Sequence, residues 1–171
     1  GRRHPRLMRL QAIVYRALNP VWVGDPLSGE GARRYGGRFN PKGMPARSCT
    51  LDAMTAVREV RQIGQPLQPT ILVSFQADVE PVFDTTDPAA LAGQGMTPAN
   101  LAADDWRVHM AAGKEAPTQG FARHLYGKGF AGMLAPSFAR LAPPQARNLI
   151  LWRWSPGTLR LIDDEMRLSP R

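Results

Sequence analysis

YGGRFNPKGMPARSCTLDAMTAVREVRQI, residues 35–63, changes character once along its length. From Tyr35 to Arg47 it is punctuated by Gly36, Gly37, Pro41, Gly43 and Pro45, as a loop is. From Asp52 to Ile63 it reads as a helix. Asp52 is a good N-cap, and Ala53, Ala56, Val57 and Val60 share one face at 3.6-residue spacing. Gly64 and Pro66 then end it. Glu59 stands beside Ala56 and Ile63, at the border of the apolar face, from where a carboxylate can enter a cleft. Gly36 and Gly37 let backbone come close to a ligand, and Arg38 carries a planar donor fork suited to a diphosphate. Taken singly, each feature has a plainer explanation. Gly36-Gly37 is a hairpin turn, Arg38 a surface cation, and Glu59, between Arg58 and Arg61, a solvated helix residue. Their combination within 24 residues singles the stretch out.

Outward from this stretch, Leu10–Leu18 has strand alternation. The whole of Asn19–Arg47 is a glycine-rich connection, long enough that a functional loop is the better reading. On the other side, Thr70–Phe75 is a buried-strand pattern and Pro81–Asp84 a shorter strand. Thr97–Trp106 and Thr118–Tyr126 read as helices, the second stopped by Gly127 and Gly129. Met133–Ala135, Asn148–Trp154 and Leu159–Ile162 complete the strands. Strands and helices mix without a βαβ rhythm. The expectation is therefore an α+β fold, a single compact domain of mixed strands with flanking helices.

The chain has 171 residues, 43% of them apolar, which suits one domain with a true core. Gly and Pro contribute 16 residues each, above average and indicative of many turns around short elements. Cys49 is the single cysteine, so no internal disulfide framework and no multi-cysteine metal site can form. A reducing, cytoplasmic setting follows. No apolar run is long enough to span a membrane, and GRRHPRLMRL at the start lacks the apolar stretch of a secretory signal.

The formal net charge is +8, and Arg supplies most of the 22 cations. Such a balance suits nucleic acid, an anionic small molecule or an acidic partner. Arg2, Arg3, Arg6, Arg9, Arg167 and Arg171 lie in terminal segments, however, where they act as solvated tails. There is no Walker A run, and Gly29-Glu30-Gly31 lacks the rest of a dinucleotide fingerprint. Ser137 follows a proline and has no flanking glycines, unlike a nucleophile elbow. His4, His109 and His124 are scattered without ligand spacing, so no metal is expected. No aromatic platform for RNA is present, and direct nucleic-acid binding would rest on charge alone.

Tyr15-Arg16, the run Gly37-Arg38-Phe39-Asn40-Pro41-Lys42-Gly43, Ala56-Val57-Arg58-Glu59, Ala135-Pro136-Ser137 and Asn148-Leu149-Ile150-Leu151 resemble, in this order, the RES domain. That family comprises the toxin components of RES–Xre toxin–antitoxin pairs. The resemblance runs from about Leu10 to Ile162. It implies a basic tail over 1–9, an NAD-consuming domain over 10–165 similar to ADP-ribosyltransferase toxins, and a tail over 166–171. It also implies catalytic roles for Glu59 and Arg38, and NAD contacts from Arg16, Tyr35, Arg38, Asn40, Ser48 and Ser137. Ser48 stands where the family usually has a tyrosine.

NAD is then the substrate, with no bound cofactor. A carboxylate would stabilise the oxocarbenium-like state, while arginines hold the pyrophosphate. The roomier site left by Ser48 tilts the expectation toward ADP-ribose transfer to a host protein. The alternative is NAD degradation, with phosphate or water as acceptor. The expected partner is an Xre-like helix-turn-helix antitoxin, in a toxin–antitoxin hetero-oligomer; no direct nucleic acid or membrane is expected. Two other classes compete with this reading: an RNA-cleaving toxin, and an inert module that docks an acidic antitoxin.

Overall fold

A computed structural model of the chain describes residues 8–22, 24–60 and 68–163. The elements are β1 (Met8–Leu18), a 3-10 turn (Pro20–Trp22), α1 (Glu30–Tyr35), β2 (Arg47–Thr50), α2 (Ala53–Val60) and β3 (Ile71–Asp84). Then follow α3 (Pro88–Gly93), α4 (Pro98–Ala102), α5 (Trp106–Ala111), α6 (Pro117–Gly127), β4 (Gly132–Pro136), β5 (Arg147–Leu151) and β6 (Leu159–Leu161). Most of both expected tails, and the expected helix end from Arg61 to Ile63 with its Gly64 stop, lie outside the described residues.

The strands form a closed circuit. β1 pairs with β2 on one edge and, from Leu10–Val79 to Leu18–Ile71, with β3 on the other. β2 pairs with β5 and β5 with β4, both antiparallel, and β4 returns to β3 in parallel. β6 adds to β3 beside Phe75–Ala77. The result is a mixed, barrel-like sheet with helices against it, as the α+β reading expected.

Period-two alternation sorts residues to the two sides of this sheet. In β5, Leu149 and Leu151 join Val14, Phe75, Ala77, Val79 and Leu159 in an interior cluster. Ile150, with Trp152 just beyond the strand, joins Phe83, Leu101, Phe121, Leu125 and Met133 under the helices. Fully burying such side chains contributes about 1.5–3 kcal/mol each before conformational entropy is counted.

Several expected elements are redrawn. The two strands at Thr70–Phe75 and Pro81–Asp84 are one continuous strand, β3, because β1 runs beside it from Ile71 to Val82 and β4 takes over to Asp84. The expected loop Asn19–Arg47 contains the 3-10 turn and α1, and β2 follows it; β2 and α3 are elements not foreseen. The helix expected over Thr97–Trp106 is the shorter α4, and α5, not foreseen, begins only at Trp106. α4 starts at a reciprocal cap, in which Thr97 N–H donates to Asn100 and Asn100 N–H to Thr97 Oγ1. It stops at Ala103, whose carbonyl turns aside to accept from Arg38 at 2.6 Å.

Candidate active site

α2 brings Glu59 to the mouth of the sheet. Asp52 caps this helix by accepting from Met54 N–H at 2.8 Å and Thr55 Oγ1 at 2.9 Å. These bonds hold the Asp52 carboxyl below its ordinary pKa, the Thr55 hydroxyl contributing most. α2 lies against β1 and β2, with Thr55 and Ala56 buried, and so leaves Glu59 exposed on the cleft side.

Two distant segments meet at Glu59. Ser137 Oγ, just after β4, donates to Glu59 Oε1 at 2.5 Å, and Asn148 Nδ2, on β5, donates to the same oxygen at 2.8 Å. Among the described residues, no hydrogen bond falls on Oε2. The carboxylate is thus held, among the described residues, through one oxygen.

Cavities open on both sides of this group and share Ser48, Glu59 and Asn148. One, of about 220 Å³, is walled by Tyr15, Arg16, Thr50 and Ala56. The other, of about 310 Å³, is walled by Arg38, Trp106, Arg107 and Phe138. Together they form a bipartite cleft with a carboxylate at its waist. Its lining holds buried polar atoms without protein partners: Arg16 Nε, Trp106 Nε1 and Asn148 Oδ1. Orphaned buried groups are uncommon in folded proteins.

The expected site residues fare differently. Glu59, Ser48, Arg16 and Arg38 line the cleft, and Ser137 is tied to it through its bond to Glu59. Arg38 is not a free fork, however. Its Nη1 donates to the Leu101 and Ala103 carbonyls at 3.2 and 2.6 Å, and its Nη2 to Asp104 at 2.7 Å. Its guanidinium also lies 4.7 Å from the centre of the Phe138 ring.

Asn40 is not brought to the cleft. It is buried, and its Nδ2 donates to the Ala32 and Met44 carbonyls at 2.8 and 3.2 Å, tying α1 to the loop behind it. Gly37 is required there for a matching reason, since a Cβ on it would sit 2.8 Å from Asn40 Oδ1. The glycine pair therefore makes room for the protein's own asparagine, and Gly36 ends α1 at φ 74°. Tyr35 is exposed at the end of α1, where its ring faces Arg34. It lines neither half of the cleft.

Other residues of the cleft had weak signals. Asn148 heads an apolar strand and looks like an ordinary strand start, yet it donates to Glu59. Trp106 and Arg107, whose guanidinium lies 4.1 Å from the Trp106 ring centre, enter from α5. No spacing relates them to the other lining residues.

A closed mixed sheet carrying a helix-borne glutamate at a two-sided cleft is the class of protein defined here. The RES domain family model matches residues 13–169, and the chain belongs to that family. Among its relatives are the proteins named NAD(+) phosphorylase MbcT of Mycobacterium bovis and Mycobacterium tuberculosis, each 35% identical over 102 residues. That match covers 54% of this chain and 55% of each relative, so the chain spans about half the length of the curated relatives it matches. Among solved structures, the crystal structure of the M. tuberculosis MbcT–MbcA toxin–antitoxin complex superposes with a TM-score of 0.66 at 26% identity. It covers 91% of this chain and 84% of the other.

Proposed function

We propose that this chain is the toxin of a bacterial toxin–antitoxin pair. In this reading it cleaves NAD at the nicotinamide–ribose bond and passes the ADP-ribosyl group to inorganic phosphate. The observation that carries the reading is Glu59, pinned through one oxygen by Ser137 and Asn148 where the two cavities meet. A dinucleotide has two halves to seat, and the bond to be broken lies near one of them. The carboxylate would face the positive charge that develops on the ribose as nicotinamide departs. An oxygen of the phosphate dianion forms the new bond to the ribose C1, and the C1–N bond breaks with its electron pair going to nicotinamide. Nicotinamide leaves neutral from a cationic ring, so no proton has to be supplied by an acid.

The name borne by the relatives favours phosphate as acceptor over the protein side chain expected from Ser48. Ser48 lies between the two cavities and gives access to Glu59, which an incoming phosphate would use as well. The partner is proposed by the same likeness: an antitoxin protein, with the helix-turn-helix type still an expectation of the family. Incubating the purified chain with NAD, with and without phosphate, tests the reading. Nicotinamide release that needs phosphate, with a new sugar-phosphate signal in ³¹P NMR, is the expected result. Release independent of phosphate points to water, and label from NAD on a discrete lysate protein points to transfer. No release under any condition removes the enzyme reading.

A further inference from the structure

Three arginines of this protein pair with carboxylates in the same way. Arg9, Arg33 and Arg123 each offer the parallel Nε and Nη2 edge to a carboxylate, those of Asp78, Glu30 and Glu115, at 2.8–2.9 Å. These three pairs are on the surface. Arg47 is the buried counterpart, with 3% of its surface exposed, and among the described residues its Nε and Nη2 have no oxygen or nitrogen acceptor, the Cys49 thiol being the polar side chain beside it. The guanidinium is nonetheless held in place. Its Nη1 donates to the Ser28 carbonyl at 2.9 Å, and the group lies 5.1 Å from the centre of the Phe75 ring.

Arg47 lines a cavity of about 160 Å³, separate from the two halves of the cleft, together with Arg16, Ser28, Gly29, Gly31 and Asp25. Arg16 lines this cavity and the Glu59 cavity alike, and its Nε is also buried without a partner. Arg16 Nη1 is fixed on the Ser48 carbonyl at 2.6 Å. The volume is below the range of about 300–1,000 Å³ in which organic ligands are usually buried, and suits a small ion. Asp25 is the one carboxylate in the lining, against two guanidinium groups. Burial, and next the repulsion from Arg16, lower the Arg47 pKa to about 10, so it keeps its charge at neutral pH. The neighbouring Cys49 thiol is pushed up by burial, stays protonated and offers only a weak acceptor.

We propose that the Arg47–Arg16 cavity is a phosphate-binding site, in which the Nε–Nη2 edge of Arg47 grips two oxygens and Arg16 Nε a third. A phosphate group matches this edge in the bidentate manner that carboxylates use elsewhere in the protein. The source of the group is inorganic phosphate or a phosphate of the dinucleotide. Its catalytic meaning rests on the NAD reading above, but its binding does not. Arg16, shared between cavities, would couple occupation of this site to the Glu59 cleft.

The test is a titration of the full chain with inorganic phosphate, followed by thermal shift and calorimetry at ionic strength held constant with chloride. Saturable binding is expected, weakened at least about tenfold in Arg47→Met, the equivalent of losing one charge-assisted pair. Because Arg47→Met removes a buried group and is open to misfolding, Asp25→Asn is the second variant. Asp25 is exposed, and removing its repulsion should tighten phosphate binding several-fold. If phosphate binds alongside NAD, and Arg47→Met raises KM for phosphate alone, the group is free phosphate. If phosphate competes with ADP-ribose, and KM for NAD rises instead, the group belongs to the dinucleotide; either result supports the site. No saturable binding by either ligand, or unchanged affinity in both folded variants, overturns it. Phosphate binding in a chain that never cleaves NAD keeps the site and removes the NAD reading; NAD cleavage in a chain that shows no saturable phosphate binding keeps that reading and removes the site.

Discussion

The helical wall and the strand wall of the cleft each present an arginine, and the two are held in opposite ways. On the helical wall, Arg38 places both Nη groups on protein acceptors at the α4–α5 break and rests on Phe138. On the strand wall, Arg16 keeps one bond to the Ser48 carbonyl and an unpartnered Nε. Its pKa is lowered, chiefly by burial. A guanidinium whose donors already have acceptors shapes a wall, whereas one with a buried unpartnered donor gains from a ligand that supplies an acceptor. In the proposed reading this contrast divides the labour: Arg38 would organise the cleft, Arg16 would meet what enters it, and Glu59 would work between them.

The largest effect should come at that midpoint. Glu59→Gln keeps an amide oxygen to accept from Ser137 and Asn148 but loses the charge. Nicotinamide release should fall about 10²–10³-fold with NAD affinity nearly intact, the scale seen when one preorganised electrostatic group is removed. Calorimetry beside a release assay measures both, and wild-type turnover in a folded Glu59→Gln chain would take Glu59 out of the mechanism.

Arg38→Ala sharpens the contrast next. The Leu101 and Ala103 carbonyls lose a donor, so the fold should lose about 1–3 kcal/mol, read as a lower urea midpoint. KM for NAD should rise as the wall loosens. A large rise in KM at unchanged stability would instead make Arg38 a direct ligand contact, erasing the difference from Arg16.

Ser137→Ala should slow turnover about 2–10-fold, the equivalent of one typical net hydrogen bond, because Asn148 still holds the same oxygen. Asn148→Ala acts on the same oxygen, so the double variant should depart from additivity. Additive effects would show that the two donors act independently of Glu59.

Smaller still is the acid sensitivity of α2. The folded Asp52 pKa lies below the unfolded value of about 3.9, so its stabilisation is complete above that pH and fades as pH falls through the folded value. Asp52→Ala should cost about 1 kcal/mol at pH 6 and leave a flatter stability profile between about pH 4 and 2. Asp104→Asn should change stability by less than about 1 kcal/mol, because its carboxylate is 89% exposed where it meets Arg38. Urea midpoints across that pH range separate the two, and an Asp104 effect as large as that of Arg38→Ala would mean that the ion pair, rather than the carbonyl bonds, holds the break.

Local chemistry was legible wherever neighbours in the chain decide it. The α2 cap at Asp52, the position of Glu59 on that helix, and the strands through Val14, Met133 and Leu149 follow from capping and periodicity. Position in sequence misled where the partner lies far away. Asn40 sits in the same motif as Arg38, yet its bonds to Ala32 and Met44 turn it inward. Thr97–Trp106 has the composition of one helix, and a side chain from residue 38 takes the carbonyls at its break.

The amino-acid sequence by itself determined the class of fold, the helix that presents the glutamate and some of the residues that line the cleft, Arg16, Arg38 and Ser48 among them. Those are properties of short windows, governed by side-chain period, backbone freedom and caps. Tertiary structure alone decided that the strands close from β1 through β3, that Ser137 and Asn148 meet on one oxygen of Glu59, and that Arg38 has both Nη groups engaged while Arg16 and Arg47 each bond through Nη1 and keep buried donors unpartnered among the described residues. These outcomes depend on contacts between residues tens of positions apart. Which donor finds an acceptor is settled only when the sheet closes and excludes water.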